Sequence, residues 1–152
     1  MNLERIYDQY SEMLFRLSYS MLQSREDAED VLQDVFVKIL SRPFDFNSAE
    51  HERAWLVRVT LNRCHDILRK KKIRRYTPLE DIVSLPAEEK DMSILREVQA
   101  LPSDKREVVL LRYFEDFSVQ EIAEILHITP SAVKMRLARA RELLKEILNY
   151  EE

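Results

Sequence analysis

Apolar residues recur at three- and four-residue spacing along most of the 152-residue chain, a pattern that predicts amphipathic helices. Glycine is absent and proline occurs only five times, so tight turns are few and an all-α fold is favoured over a β-sandwich. The predicted helices cover residues 3–22, 25–40, 51–75 and 92–100, a segment from Ser103, and two helices between Ser118 and Leu148.

One segment interrupts this helical pattern. Residues 76–91 contain Pro78 and Pro86 together with five acidic residues, and they show no sustained period. Such a composition is typical of a linker between domains. The sequence therefore predicts two small helical domains, residues 1–75 and 92–152, joined by a flexible linker.

The stretch from Ser118 to Ala140 has the pattern of a helix-turn-helix. Ser118 and Glu121 stand in capping-box spacing at the start of the first helix. Thr129 is the expected N-cap of the second helix, and Pro130 is its expected first residue. The side chains expected to be buried are Ile122, Ala123 and Leu126 in the first helix and Val133, Leu137 and Ala140 in the second.

The second helix of this motif carries small and basic side chains on its other side. At about 100° per residue, Ser131, Met135 and Arg139 lie opposite the buried stripe. Lys134, Arg136 and Arg141 flank them. A face of this kind suits a helix in a DNA major groove, where bases are read and phosphates neutralised. An ordinary helical hairpin with a solvated basic face is the alternative.

Carboxylates occupy one side of the predicted helix 25–40. Asp27, Asp30 and Asp34 follow at helical spacing, and among nearby residues only Lys38 offsets their mutual repulsion of roughly a few tenths of a kcal/mol per pair. This arrangement fits either a solvated acidic face or a surface for a basic partner. The side chains expected in the core are Leu32, Val35, Phe36, Ile39 and Leu40.

Positive charge is concentrated in residues 51–75, which hold nine Lys and Arg against two acidic residues, although the whole chain has a net charge of −4. Arg58, Asn62, His65 and Arg69 fall on one helix face. Such a row can follow a nucleic-acid backbone while Asn and His offer hydrogen bonds to base edges. A merely solvated basic face is the alternative.

Aromatic residues occur next to this basic helix. Phe44 and Phe46 lie in the polar segment 42–50 and could act as packing anchors or as stacking surfaces for an unpaired base. Trp55, at the edge of the basic row, could likewise be a core residue or support a separated base pair.

Several kinds of chemistry are not expected. His51, His65, His127 and Cys64 lack the spacing of a zinc site, and without glycine the usual phosphate-binding loop cannot form. We therefore expect no metal, no cofactor and no enzymatic activity. No apolar run approaches the roughly 18 residues needed to span a bilayer, and the N-terminus lacks a signal-peptide pattern, so a cytoplasmic protein without membrane insertion is expected.

Three stretches together resemble a bacterial RNA polymerase sigma factor of the extracytoplasmic-function (ECF) type. They are SREDAEDVLQDVF, AWLVRVTLNRCHDILR and SVQEIAEILHITPSAVKMRLARAREL, similar in order to sigma regions 2.1–2.2, 2.3–2.4 and 4.2. The resemblance implies a region 2 helical bundle, a region 4 helix-turn-helix, and recognition and opening of promoter DNA. Core RNA polymerase is then the main protein partner, through its β′ clamp helices and β flap, and an anti-sigma factor is a further one.

The resemblance also implies roles for individual residues. Those docking on the β′ clamp helices would be Asp27, Asp30, Gln33 and Asp34. Those contacting the minus-ten element would be Phe46, Asn47, Trp55, Arg58, Asn62, His65 and Arg69, with the loop around Phe46 holding a flipped base. Those reading the minus-thirty-five element would be Ser131, Lys134, Met135, Arg136 and Arg139.

The sequence departs from its relatives at two points of the helix-turn-helix. His127 stands where many relatives have glycine, so a positive φ would cost about 1 kcal/mol there. Met135 replaces a small polar residue, which predicts an apolar groove contact, for instance to a thymine methyl.

Two other functions are compatible with parts of this pattern. An autonomous helix-turn-helix regulator would bind duplex DNA without polymerase, but it would not need the first 75 residues. A protein-interaction adaptor without DNA binding is disfavoured by the retained arginines.

Overall fold

The computed structural model describes residues 3–41, 46, 48–74 and 92–151. Every regular element in this part of the chain is helical, as the spacing of apolar residues predicts. The helices are α1 (Leu3–Leu22), α2 (Arg25–Ser41), α3 (Ala49–Arg74), α4 (Met92–Gln99), α5 (Ser103–Val109), α6 (Val119–Leu126) and α7 (Pro130–Glu151). The whole predicted linker, residues 76–91, and the loop residues Phe44 and Asn47 lie outside the described residues.

Helices α1, α2 and α3 form the first of two compact units, in which each helix packs against the other two. Its core consists mainly of aliphatic side chains contributed by all three helices, together with Tyr10, Tyr19 and the single cysteine. The largest fully buried members are Ile6, Leu14, Leu17, Met21, Val31, Val35, Leu56, Val57 and Leu61.

The buried side of α2 differs in part from the predicted one. Val35 and Ile39 are in the core as expected, but the stripe continues through Ala28 and Val31. Leu40 is 67% exposed, so its predicted place in the core is wrong. Because a helix turns by about 100° per residue, Leu40 stands roughly a quarter turn from Ile39, beyond the surface that α1 and α3 cover.

Serine side chains fix the N-termini of α2 and α3. The N–H of Asp27 donates to Ser24 Oγ over 3.2 Å, so Ser24 caps α2. The N–H of His51 donates to Ser48 Oγ over 3.1 Å, so α3 begins at Ala49, two residues earlier than predicted. Glu52, in the first turn of α3, is buried.

The carboxylate of Glu52 joins α3 to α1. Arg5 Nη2 donates to Glu52 Oε2 over 2.7 Å, and Tyr10 adds a second hydrogen bond. These donors lower the pKa of Glu52, with Arg5 the larger influence and burial opposing it. A buried carboxylate is tolerated here because two partners from α1 replace water.

Helices α4 to α7 form the second unit, in which α7 contacts α4, α5 and α6. Helix α5 continues into a π-helical turn at Leu110–Phe114, and its buried residues include Val108 and Leu111. Phe117, in the connection to α6, is the largest fully buried side chain of the described residues. Tyr113, in the same π-helical turn, is 53% exposed.

The predicted caps of the helix-turn-helix are confirmed. Ser118 and Glu121 form a reciprocal capping box with distances of 3.0 and 2.9 Å, and Thr129 Oγ1 accepts from the N–H of Ala132 at 3.1 Å. His127 ends α6 in the left-handed region with φ 57°. The buried positions of α7 are as predicted, but in α6 Ile125 is buried and Leu126 only partly so.

Candidate nucleic-acid interface

The acidic side of α2 is bound to α3 by two ion pairs. Arg63 Nε donates to Asp34 Oδ2 over 2.5 Å, and Lys71 Nζ lies 2.6 Å from Asp27 Oδ2. The hydrogen bond that Arg63 donates to Asp34 raises the pKa of Arg63 above its ordinary value, with burial opposing the shift. Besides the local Lys38, which the sequence predicts as the nearby offset, these carboxylates therefore have two cations from α3 as partners.

The four acidic and amide residues of α2 are not equally accessible. Asp30, Gln33 and Asp34 are exposed, whereas Asp27 is only partly exposed. Val37 and Leu40, 61% and 67% exposed, continue the outward side of the same helix. The surface of α2 is thus acidic at its beginning and apolar near its end.

The basic row of α3 is largely open to solvent. Arg58, Asn62 and Arg69 are exposed, and His65 is partly exposed. Arg69 is paired with Asp66 one turn earlier on the same helix. An exposed pair of this kind is worth less than about 1 kcal/mol, so it holds the guanidinium without preventing a phosphate contact.

Aromatic rings cluster at the start of this row. The ring centroid of Phe46 lies 5.6 Å from that of Trp55 and 5.5 Å from that of His51, both within the range for aromatic contact. Trp55 is partly exposed and lies on the same helix as Arg58. Flat rings beside a basic row are the components of a site for unstacked bases.

Four of the five predicted reading residues of α7 are open to solvent. Ser131, Lys134, Met135 and Arg139 are exposed, Met135 by 59%. The side chain that differs is Arg136, whose Nη1 lies 3.5 Å from Oε1 of the buried Glu107 in α5. Arg136 therefore faces the interior of the unit rather than the surface of the other four.

Comparison with known proteins identifies the family in which this arrangement of helices occurs. The model of Sigma-70 region 2 matches residues 6–74, and that of Sigma-70, region 4, matches residues 91–144. The ECF RNA polymerase sigma factor SigW of Bacillus subtilis is 30% identical, over 94% of this chain and 87% of its own length. The chain belongs to the ECF family of RNA polymerase sigma factors.

Two solved structures agree with this assignment. CnrH in complex with the cytosolic domain of CnrY is 26% identical, with a TM-score of 0.69 over 99% of this chain and 89% of that one. The sigma factor RpoE of Bartonella quintana, in complex with the anti-sigma factor NepR, has a TM-score of 0.79 at 23% identity, with 98% of each chain covered. The latter likeness concerns the fold.

The family assignment explains why the chain has two units. A sigma factor is the RNA polymerase subunit that recognises promoter DNA at initiation, and the region 2 match covers the unit that an autonomous helix-turn-helix regulator would not need. That alternative is not favoured. Among the described residues, no helix is long and apolar enough to cross a membrane.

Some surface residues of this sigma factor were not among the predicted site residues. Arg141 Nη1 donates to the hydroxyl of Tyr113 over 2.9 Å, and the Arg112 guanidinium lies 6.0 Å from the Tyr113 ring centroid. Arg63 and Lys71 were also missed as partners of α2. Their positions on the side of α3 toward the buried stripe indicate that they lie near a neighbouring helix. Which carboxylates of α2 they pair with depends on how α2 and α3 cross.

Proposed function

We propose that this sigma factor directs RNA polymerase to promoters through three surfaces, one on α2, one along α3 and one on α7. The observation that carries the proposal is the separation of charge within the first unit, where an acidic helix lies beside a basic one. An acidic helix suits a basic protein surface and repels DNA, whereas a basic helix suits phosphates. A single small unit can thereby bind polymerase and promoter together.

The surface on α2 docks on the β′ clamp helices. Asp30, Gln33 and Asp34 supply exposed acceptors for basic side chains, and Asp27, ion-paired with Lys71, is the less accessible fourth member of this surface. Exposed Val37 and Leu40 add apolar area, which protein interfaces use at their centre. The β flap is a second polymerase contact, for which the unit containing α7 is available.

The surface along α3 binds the opened minus-ten element. Arg58 and Arg69 neutralise phosphates, and Asn62 and His65 offer hydrogen bonds to base edges. Phe46 and Trp55 stack on or beside an extruded base, with Asn47 contributing a hydrogen bond. Extrusion costs a few kcal/mol of stacking, which contacts in the pocket and along the basic row offset.

The surface on α7 reads the duplex minus-thirty-five element. Ser131 and Arg139 lie at the groove, Lys134 neutralises a phosphate, and Met135 makes an apolar contact. Arg136 has a different part, because its ion pair with Glu107 orients α7 on α5. We assign it as a positioning residue rather than a base contact.

The chain performs no catalysis in this scheme, because nucleotide chemistry belongs to the polymerase core. Its place is the cytoplasm, where the polymerase and promoter are. An anti-sigma factor is a further partner, supported by the similar sigma factor RpoE, solved in complex with the anti-sigma factor NepR, and by the similar CnrH, solved in complex with the cytosolic domain of CnrY. The functional division is residues 1–75 for polymerase and the minus-ten element, and 92–152 for the minus-thirty-five element.

Run-off transcription tests the proposal. Purified core polymerase and the full chain are incubated with a library of random promoter sequences, and transcripts are sequenced to recover the templates that support initiation. Promoter-dependent transcripts with a shared pair of elements are expected. Core polymerase alone is the control, and an equal transcript population with and without the chain would contradict the proposal.

A further inference from the structure

The two ion pairs between α2 and α3 join residues that are all accessible in part. The side chains of Asp34 and Arg63 are 51% and 32% exposed, and those of Asp27 and Lys71 are 24% and 34% exposed. Neither pair is sealed from an approaching protein. A basic partner that docks on α2 therefore meets carboxylates already bound to cations of the same chain.

The geometry at Asp34 favours competition between Arg63 and an incoming cation over binding of both by the same carboxylate. Asp34 Oδ2 accepts a hydrogen bond from Arg63 at 2.5 Å, and the negative charges of Asp30 and Asp66 also attract Arg63. A carboxylate has lone pairs for more than one donor, but a second cation brought within about 4 Å of Arg63 is repelled by it. The incoming side chain must displace Arg63 or dock against its charge.

The pairs also change the field of the uncomplexed protein. Asp34 with Arg63 and Asp27 with Lys71 are each neutral as a pair, so much of the negative charge predicted for α2 is cancelled at a distance. Charge complementarity chiefly raises the association rate. The paired state therefore attracts a basic surface less than the sequence of α2 alone suggests.

We propose that Arg63 and Lys71 act as internal competitors of RNA polymerase for the carboxylates of α2 and so limit the affinity of this sigma factor for the core enzyme. The inference rests on the proposed docking role of α2. It gives Arg63 and Lys71 a role separate from that of the row Arg58 to Arg69 on the same helix, which binds DNA in the proposed function.

The proposal is tested by a substitution that should increase the affinity of the chain for core polymerase. Arg63→Gln in the full chain is expected to lower the Kd for core polymerase by about two- to fivefold at low salt, since exposed pairs of this type carry an interaction of that size. Arg63→Lys, which keeps the charge, is the matched control and should bind as the unaltered chain does. The gain should shrink at roughly 1 M salt, where the screening length falls to about 3 Å.

A second experiment removes the carboxylate of Asp34, for which Arg63 and the polymerase are proposed to compete. In an Asp34→Asn background, Arg63→Gln should no longer increase affinity, and a gain that persists would overturn the proposal. Thermal unfolding identifies any variant that fails to fold, and Lys71→Gln, expected to act in the same direction through Asp27, then replaces it. A folded Arg63→Gln protein with unchanged or weaker core binding overturns the proposal.

The outcome separates this inference from the docking role itself. If Asp30→Lys weakens core binding while Arg63→Gln does not strengthen it, α2 docks on polymerase and only the internal competition is wrong. If neither substitution changes core binding, the docking surface is wrong and the competition falls with it.

Discussion

The guanidinium of Arg136 lies 3.5 Å from the carboxylate of Glu107, which is only 4% exposed. Glu107 belongs to α5 and Arg136 to α7, so the pair links the recognition helix to the helix on which it packs. A buried carboxylate that loses its cation keeps the cost of desolvation without the compensating attraction. The pair therefore constrains the orientation of α7 more than it contributes a contact to DNA.

Removing either partner should have a structural effect first. Arg136→Ala is expected to lower the free energy of unfolding of the second unit by about 1–3 kcal/mol, since the buried carboxylate of Glu107 loses an ion-pair partner. Because α7 is then less well oriented, affinity should fall by a similar factor for all duplex sequences. Urea unfolding and fluorescence anisotropy with cognate and altered duplexes measure the two effects. Loss confined to one base pair would instead identify Arg136 as a base contact.

Arg139 and Lys134 should differ in what they recognise. Arg139→Ala is expected to cost roughly 1–3 kcal/mol of binding free energy on the cognate duplex and to relax specificity at one position. Lys134→Ala should weaken binding about equally on all sequences and reduce the salt slope by about 1. Both residues are exposed on the same helix, so each variant serves as the control for the other. Equal loss on every sequence for Arg139→Ala would make it a phosphate contact.

A charge reversal tests the docking surface on α2. Asp30→Lys should abolish or strongly weaken binding to core polymerase, because an exposed acceptor becomes a repelling cation. Glu12→Lys, at an exposed position of α1, makes the same change in net charge away from this surface and is the matched control. Affinity is measured by titration of labelled sigma factor with core enzyme. Equal effects of the two reversals would refute the assignment of α2.

Local features of this fold follow from the sequence alone. The capping box of Ser118 and Glu121, and the cap of α7 by Thr129, depend on residues three positions apart, and both were predicted. The buried stripe of α7 was also predicted, because its period is clear. Such features are decided within one or two helical turns, where spacing is sufficient information.

Features that depend on how helices cross could not be predicted in this way. Asp34 and Arg63 are 29 residues apart, and nothing in either helix alone indicates that they meet. Leu40 continues the apolar period of α2 but lies beyond the area that its neighbours cover. Phe117 stands in a short connection without any period, yet it is the largest fully buried side chain described. Tertiary packing, not local pattern, decides these positions.

The stability of the first unit should depend on pH through Glu52. Its pKa is lowered in the folded protein, chiefly by the hydrogen bond from Arg5, so folding favours the charged carboxylate. The sign of the linkage follows: this contribution is present above the ordinary pKa of 4.5 and is lost as the pH falls through the lower folded value.

Glu52→Gln tests this dependence. It should destabilise the first unit by about 1–3 kcal/mol at pH 7, and the difference from the unaltered chain should diminish below about pH 4.5. Urea unfolding at a series of pH values is the measurement. Glu12→Gln, an exposed change on α1, should have little effect at any pH. A difference that stays constant with pH would show that lost packing, not charge, causes the destabilisation.

Replacement of His127 by glycine should stabilise the second unit. His127 ends α6 with φ 57°, a conformation that costs a residue with a Cβ about 1–2 kcal/mol, whereas glycine adopts it without strain. Because glycine also gains entropy in the unfolded chain, the net gain should be roughly 0.5–1 kcal/mol. Glu124→Gly, at an exposed position within α6, is the matched control and should destabilise by about 0.5–1 kcal/mol. Thermal unfolding of the second unit measures both changes. If His127→Gly is no more stable than the unaltered chain, the imidazole contributes an interaction that offsets the backbone cost.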